Sequence, residues 1–284
     1  MTDVPAHRVS KEPIERRMRG RPRLIKPQQD TSAIQSLERA ISVLRVVADA
    51  DGLSLTEIAR ACDLAPSTSY RMLSTLQRQG LTEFEEASQL WFVGVETFRI
   101  GSAFLRRRKL AERGRPIIQA LMIATGETAN IALADRDGVV FVTQAETHAP
   151  IRAFFRPGTR SAYHASGIGK AVLAFLDERQ RAEVFARVTF EQFTEHTIIA
   201  ADVLADNLAQ ARHAGFAVDD EERSIGMRCI AAPIFNEIGE PIGGLSVSGP
   251  TVRVDHAFIA RVSGSVIAAA RQLTQAIGGQ QTAA

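Results

Sequence analysis

The sequence is short of several things, and each shortage excludes something. Only two cysteines occur in 284 residues, Cys62 and Cys229, and they lie far apart. That argues against a disulfide framework or a cysteine zinc site and fits a reducing cytoplasm. No apolar run approaches the roughly 18 residues of a membrane span, so no membrane partner is expected. The N-terminus is basic and polar with no apolar stretch behind it, unlike a secretory signal. No histidine pair at metal-ligand spacing and no glycosidase-type carboxylate pair is evident. Metal, cofactor and catalytic residues are therefore all expected to be absent. Net charge is small too, at +2, so any attraction to nucleic acid must lie in how charge is distributed.

The distribution is uneven. Eight basic residues face four acidic ones between Met1 and Asp30, and six face one between Gly101 and Pro116. The first stretch is proline-rich without apolar periodicity, which predicts a disordered basic arm over residues 1–31. Within it, Arg19-Gly20-Arg21-Pro22-Arg23 has the form of a strip that lies in a narrow A·T minor groove, with Arg21 as its central cation. A nonspecific basic arm is the plainer alternative.

Between the basic segments the apolar spacing turns helical. Leu37, Ala40, Ile41, Leu44 and Val47 form one stripe, with Ser36 as the expected N-cap. Ser54 precedes a short second helix from Leu55 to Ala61. A turn at Cys62–Ala65 follows, and Pro66 opens a third helix that stops at Gly80. Two short helices about a tight turn form a helix-turn-helix. Its second helix would offer Ser67, Thr68, Ser69, Tyr70 and Arg71 to base edges, with Arg78 further along. One of Ser67 and Thr68 should also cap that helix, while Met72, Leu73 and Leu76 should be core. Leu81–Phe84 and Leu90–Val93 read as the strands of a wing. Residues 31–100 carry six arginines against nine acids, so a DNA grip must rest on a few placed cations plus the basic flanks.

Beyond the basic segment, strands and helices alternate. Strands are expected at Thr128–Ala134, Val139–Ala145, Ile151–Phe155, Phe216–Val218, Arg228–Phe235 and Ile242–Val247. Helices are expected near Gly167–Leu176, Glu178–Arg187 and Ala200–Ala214. The order predicts an antiparallel sheet with packed helices, and an α+β class for the chain. Ser166-Gly167-Ile168-Gly169-Lys170 fails as a phosphate loop, because His164 and Ala171 stand where a Gly and a Ser or Thr are needed. What remains is a helix N-terminus that could hold an anion, or simply a tight turn. Ser246 and Ser248 share a strand face, which suits an internal polar pocket, solvent exposure or backbone bonding. Cys229 with His164 could suggest a thiol enzyme acting on a small acid, but a mid-strand thiol among apolar residues is usually inert.

Three segments together resemble the IclR-type transcriptional regulators over about Ser32 to Ala276. They are Ser36–Ala40 with Leu55–Ala59 and Thr68–Leu81; Pro157-Gly158 with His164–Ala171; and Asp219–Glu222 with Gly226–Pro233. The resemblance implies a winged helix-turn-helix over 32–95, a linker helix over 96–116, a GAF-like effector domain over 117–276 and a disordered tail over 277–284. It also implies a homodimer or homotetramer on a palindromic double-stranded DNA operator. Within the family the chain resembles members that sense glyoxylate. That likeness makes Asp219, Cys229, Ser246 and Ser248 effector ligands, with the amides of Gly167 and Ile168. Members that sense aromatic acids often lack the Cys, yet Phe154 and Phe155 could line a larger, more apolar pocket. The long basic arm is not required by the family pattern.

Overall fold

The computed structural model describes Ile34–Arg108 and Leu110–Gln281. The arm containing Arg21 lies outside the described residues, as do the side chains of the basic run Arg106–Lys109. The chain divides into two compact units, with the boundary between Thr97 and Phe98.

The first unit contains α1 (Gln35–Ala48), α2 (Leu55–Ala61), α3 (Pro66–Arg78), β1 (Thr82–Glu85) and β2 (Leu90–Val93). Its core gathers Val43, Val47, Ile58, Leu73 and Trp91. Ile34, not Ser36, stands at the N-cap of α1 and makes no side-chain cap. Leu37 and Ile41 are exposed, so the buried stripe keeps Val47 from the expected one but runs through Val43 instead. Ser54 caps α2 in a reciprocal capping box with Glu57. Gly80, at φ +68°, ends the turn after α3. A side chain at Gly94 would strike the carbonyl of Gly80 at 2.3 Å, so the wing closes on the helix only because position 94 lacks one.

The helix α4 (Val95–Arg108) then carries the chain into the second unit. That unit contains α5 (Leu110–Thr125), β3 (Thr128–Ala134), β4 (Gly138–Ala145), β5 (Arg160–Ala162), α6 (Gly167–Phe175), α7 (Glu178–Phe185), α8 (Ala201–Ala214), β6 (Ala217–Asp220), β7 (Met227–Phe235), β8 (Pro241–Pro250) and α9 (His256–Ala276). The six strands form one antiparallel sheet in the order β5-β4-β3-β8-β7-β6. The winged unit and this sheet are the α+β architecture expected from the sequence.

Several boundaries differ from expectation. Helix runs on past Pro116 to Thr125, and α9 occupies a stretch that strand and helix patterning had left unassigned. Ile151–Phe155 is not a strand. The amide of Phe155 bonds to the Gln144 side chain instead of to a ladder, and Arg160–Ala162 takes the sheet edge. The tail expected to be disordered from 277 is tied down as far as Gln280, which bonds to the carbonyls of Asn236 and Glu237.

Side-chain alternation divides the sheet into two faces. Ile131, Leu133, Ile230, Ile234, Leu245 and Val247 point toward α5 and α9 and make a wholly apolar core. Ala132, Phe141, Ala217 and Ala231 point the other way, toward α6 and α8. That second face is where the polar residues of the sheet collect.

Candidate functional site

In the first unit, α3 presents Ser67, Tyr70, Arg71 and Arg78 to solvent, and Thr68 is half-buried. Ser69 is the exception. It is fully buried with its hydroxyl unpartnered among the described residues, one turn before Leu73 on the same inward stripe. It therefore belongs to the core and not to the reading face. The N-cap of α3 is Ala65, with no side-chain cap, so the hydroxyls of Ser67 and Thr68 are not spent on capping. Tyr70 leans edge-on toward Trp91, with ring centroids 6.5 Å apart. The exposed face of α3 thus offers hydroxyls and guanidinium groups without an acid, the donor chemistry that suits phosphates and purine edges.

In the second unit the strand register builds a site. Thr128 pairs with Ser248, Ser248 with Cys229, and Cys229 with Asp219. These four residues form one row across β3, β8, β7 and β6, all on the α6 face. The next row on that face pairs Asn130 with Ser246. Above the rows sits the start of α6, capped by Ser166, whose hydroxyl accepts from the Gly169 amide. The amides of Gly167 and Ile168 fall in the first turn, where a helix has no acceptor of its own. Gly167 has to be glycine, because a Cβ there would lie 2.8 Å from the Cys229 sulfur.

Gly167, Ile168, Asp219, Cys229, Ser246 and Ser248 all line one small chamber of about 20 Å³. Every effector residue expected from the sequence is therefore brought together. Phe155 stacks flat on Phe141, centroids 4.3 Å apart, and both rings line the chamber. A second, outer space of about 290 Å³ shares Phe155, Asp219, Arg223, Cys229 and Ser248, and adds Phe154.

The electrostatics have three parts. Burial pushes the Asp219 carboxyl up to about 6, against the opposing charge of Lys170 and the amides of Glu222 and Arg223. The Glu222 amide donates to Asp219 Oδ1 at 3.0 Å. Burial raises Glu222 to about 7, again against Lys170. Burial, then the Asp219 charge, pushes Cys229 up to about 12. It therefore stays a thiol near neutrality. Among the described residues no cluster of three or more metal-ligating side chains occurs.

Patterning alone did not single out several contributors. Lys170 is fully buried on α6, its Nζ 2.5 Å from Glu222 Oε1. A lysine within the otherwise apolar Gly167–Phe175, with an acidic run elsewhere, was the available signal for a buried ion pair. Asn130 interrupts the apolar Thr128–Ala134 in the same phase as Thr128, which marks it as facing polar company. Arg223 lies over the ring of Phe193, 4.0 Å from its centroid, and lines both spaces. Its loop position gave no periodicity to read.

A winged helix-turn-helix followed by a sheet unit with an internal polar chamber defines a helix-turn-helix transcriptional regulator. Residues 36–86 match the IclR helix-turn-helix domain, and residues 102–275 match the bacterial transcriptional regulator IclR C-terminal domain. The chain belongs to the IclR family. It is 48% identical over 264 residues to the HTH-type transcriptional regulator BhcR of Paracoccus denitrificans, covering 92% of this chain and 95% of that one. To the transcriptional repressor IclR of Escherichia coli it is 35% identical over 266 residues, covering 93% and 97%. The crystal structure of the Thermotoga maritima IclR aligns with a TM-score of 0.67 at 27% identity, covering 86% of this chain and 99% of that one. Among the described residues no helix is long and apolar enough to cross a membrane.

Proposed function

We propose that this DNA-binding regulator is gated by a small 2-oxo acid, glyoxylate foremost, held in the inner chamber of the second unit. It would read a palindromic operator as a homodimer or homotetramer, each α3 entering a major groove with Ser67, Thr68, Tyr70, Arg71 and Arg78. The observation that carries the ligand reading is convergence. Two helix-start amides, two serine hydroxyls and a thiol meet on one chamber of about 20 Å³, room for about one or two waters. The effector carboxylate sits on the Gly167 and Ile168 amides, favoured by the helix dipole. Ser246, Ser248 and Cys229 donate to its remaining oxygens. Asp219 accepts from a hydroxyl of the hydrated aldehyde. Either acid is larger than the inner chamber, so Phe155 must withdraw toward the outer space to admit it, by less for hydrated glyoxylate than for an aromatic ring.

Calorimetric titration with glyoxylate, pyruvate and an aromatic acid tests this, together with operator retention with and without each ligand. Glyoxylate is expected to give heat and to change operator affinity. Ser246→Ala should weaken it by about 1–3 kcal/mol, the cost of leaving a buried oxygen unpaired. Heat from the aromatic acid alone would overturn the ligand assignment.

The elevated Asp219 gives a pH dependence of known sign. An anion beside Asp219 favours its protonated form, so the complex holds more protons than the free protein. Affinity is therefore expected to rise as pH falls from about 8 toward the value of about 6 at Asp219. Asp219→Asn should flatten that slope, as read from titrations across the same range.

A further inference from the structure

Asn130 lies beneath the chamber on β3, fully buried. Its Nδ2 is 3.4 Å from the hydroxyl oxygens of both Ser246 and Ser248. Its Oδ1 has no partner among the described residues. The neighbouring amide in register, Gln144, is already committed: its Nε2 donates to Glu146 and its Oε1 accepts from Phe155.

The orientation of the Asn130 amide follows from counting. With Nδ2 toward the serines, both of its N–H groups find acceptors and one carbonyl is left over. Reversed, the carbonyl would be satisfied and both N–H groups would be stranded. One orphan acceptor costs less than two orphan donors. A hydroxyl that accepts from Asn130 has its own proton left to give elsewhere.

We propose that Asn130 is a positioning residue that fixes the polarity of the effector site. By donating to Ser246 and Ser248 from below, it occupies one lone pair on each oxygen and leaves both hydroxyl protons free for the chamber, which favours an anion. The proposal rests on the ligand reading above and deepens it, since Asn130 itself lines no part of the chamber.

Asn130→Asp is the discriminating change, because it keeps the shape and replaces the donor by an acceptor. The serine protons then turn down toward the carboxylate, and their lone pairs face the ligand. Titration of the full chain with glyoxylate should show affinity falling by about 30-fold or more in N130D, against about 3–10-fold in N130A, which removes the donor without adding an acceptor. A packing role predicts the reverse order, since Ala leaves the larger void. Urea titration followed by circular dichroism reports whether the second unit of each variant is folded. If N130D does not fold, a cycle replaces it: N130A should add almost nothing in a Ser246→Ala/Ser248→Ala background if Asn130 acts through the serines. N130D binding within about 3-fold of wild type, N130A losing more than N130D, or a full N130A effect without the serines would each overturn the proposal. Failure of the wild type to bind any small carboxylate would instead overturn the ligand reading beneath it.

Discussion

Lys170→Met should be the most damaging single change in the second unit, lowering its stability by about 3–5 kcal/mol. The ammonium is fully buried and Glu222 nearly so, with their contact atoms 2.5 Å apart. Removing the lysine strands a carboxylate that already has one oxygen, Oε2, without a partner among the described residues. The penalty should depend on pH. Glu222 already titrates near 7 with Lys170 present, and burial alone would raise it further. A carboxyl raised in the folded state binds more protons there than in the unfolded chain, so stability falls as pH rises through the window between the two values. The deficit of Lys170→Met should thus be largest in alkali and shrink toward the ordinary carboxylate range. Lys170→Met with Glu222→Leu should recover most of it, since a paired removal leaves no buried charge. Urea titration followed by circular dichroism measures this. The single tryptophan, Trp91, lies in the core of the first unit, so its emission gives an internal control that should not shift. An equal loss in the single and double variants would show that packing, not charge, is at stake.

Gly167→Ala should abolish sensing while sparing the DNA grip. The added methyl would lie 2.8 Å from the Cys229 sulfur and 3.3 Å from the Ala231 methyl. Both neighbours are held by strand pairing, so α6 must back away from the sheet. Its first two amides move with it, and the chamber loses its shape. Overpacking of this kind costs about 1–3 kcal/mol in stability. The loss of ligand geometry is expected to exceed that, with effector affinity falling about 100-fold, or about 2.7 kcal/mol. Operator retention without effector should stay near wild type and become indifferent to added glyoxylate. Gly169 makes a useful contrast. A Cβ there would meet the Tyr163 carbonyl at 2.4 Å, so substitution at that position should harm folding, not sensing alone.

The parts of this molecule that were legible in the sequence share a cause. Strand alternation and helix punctuation are local, so the Ser246 and Ser248 face, the short helix after Ser54 and the Gly80 stop could be read directly. The effector set was reached through likeness to a family, and the structure brings those residues to one chamber. What could not be read was which polar residues are buried. Ser69 carries the same hydroxyl as Ser67 but stands in phase with Leu73, so packing outweighs polarity there. Asn130 and Lys170 look like interruptions of apolar segments until their companions, Ser246 on the neighbouring strand and Glu222 in the loop after β6, are placed beside them. The irregular course of Ile151–Phe155 is held by long-range contacts such as the bond from Phe155 to the Gln144 side chain and that from Arg253 to the Ile151 carbonyl, which no residue period announces. The stretch that forms α9 was different, because its helical spacing at Phe258, Val262, Val266 and Leu273 was present but diluted by small residues.

The row Thr128–Ser248–Cys229–Asp219 has a consequence for how such a receptor changes its taste. Each position is supplied by a different strand, and each backbone is clamped by its neighbours' ladders. A substitution at one of them alters the chemistry offered to the ligand while leaving the other three where they were. New specificities are then reachable by single steps on a fixed lattice of positions, without an intermediate that must first learn to fold again. The same lattice makes insertion intolerable: one extra residue in β7 or β8 would turn that strand's member of the row to the opposite face of the sheet and end recognition at a stroke.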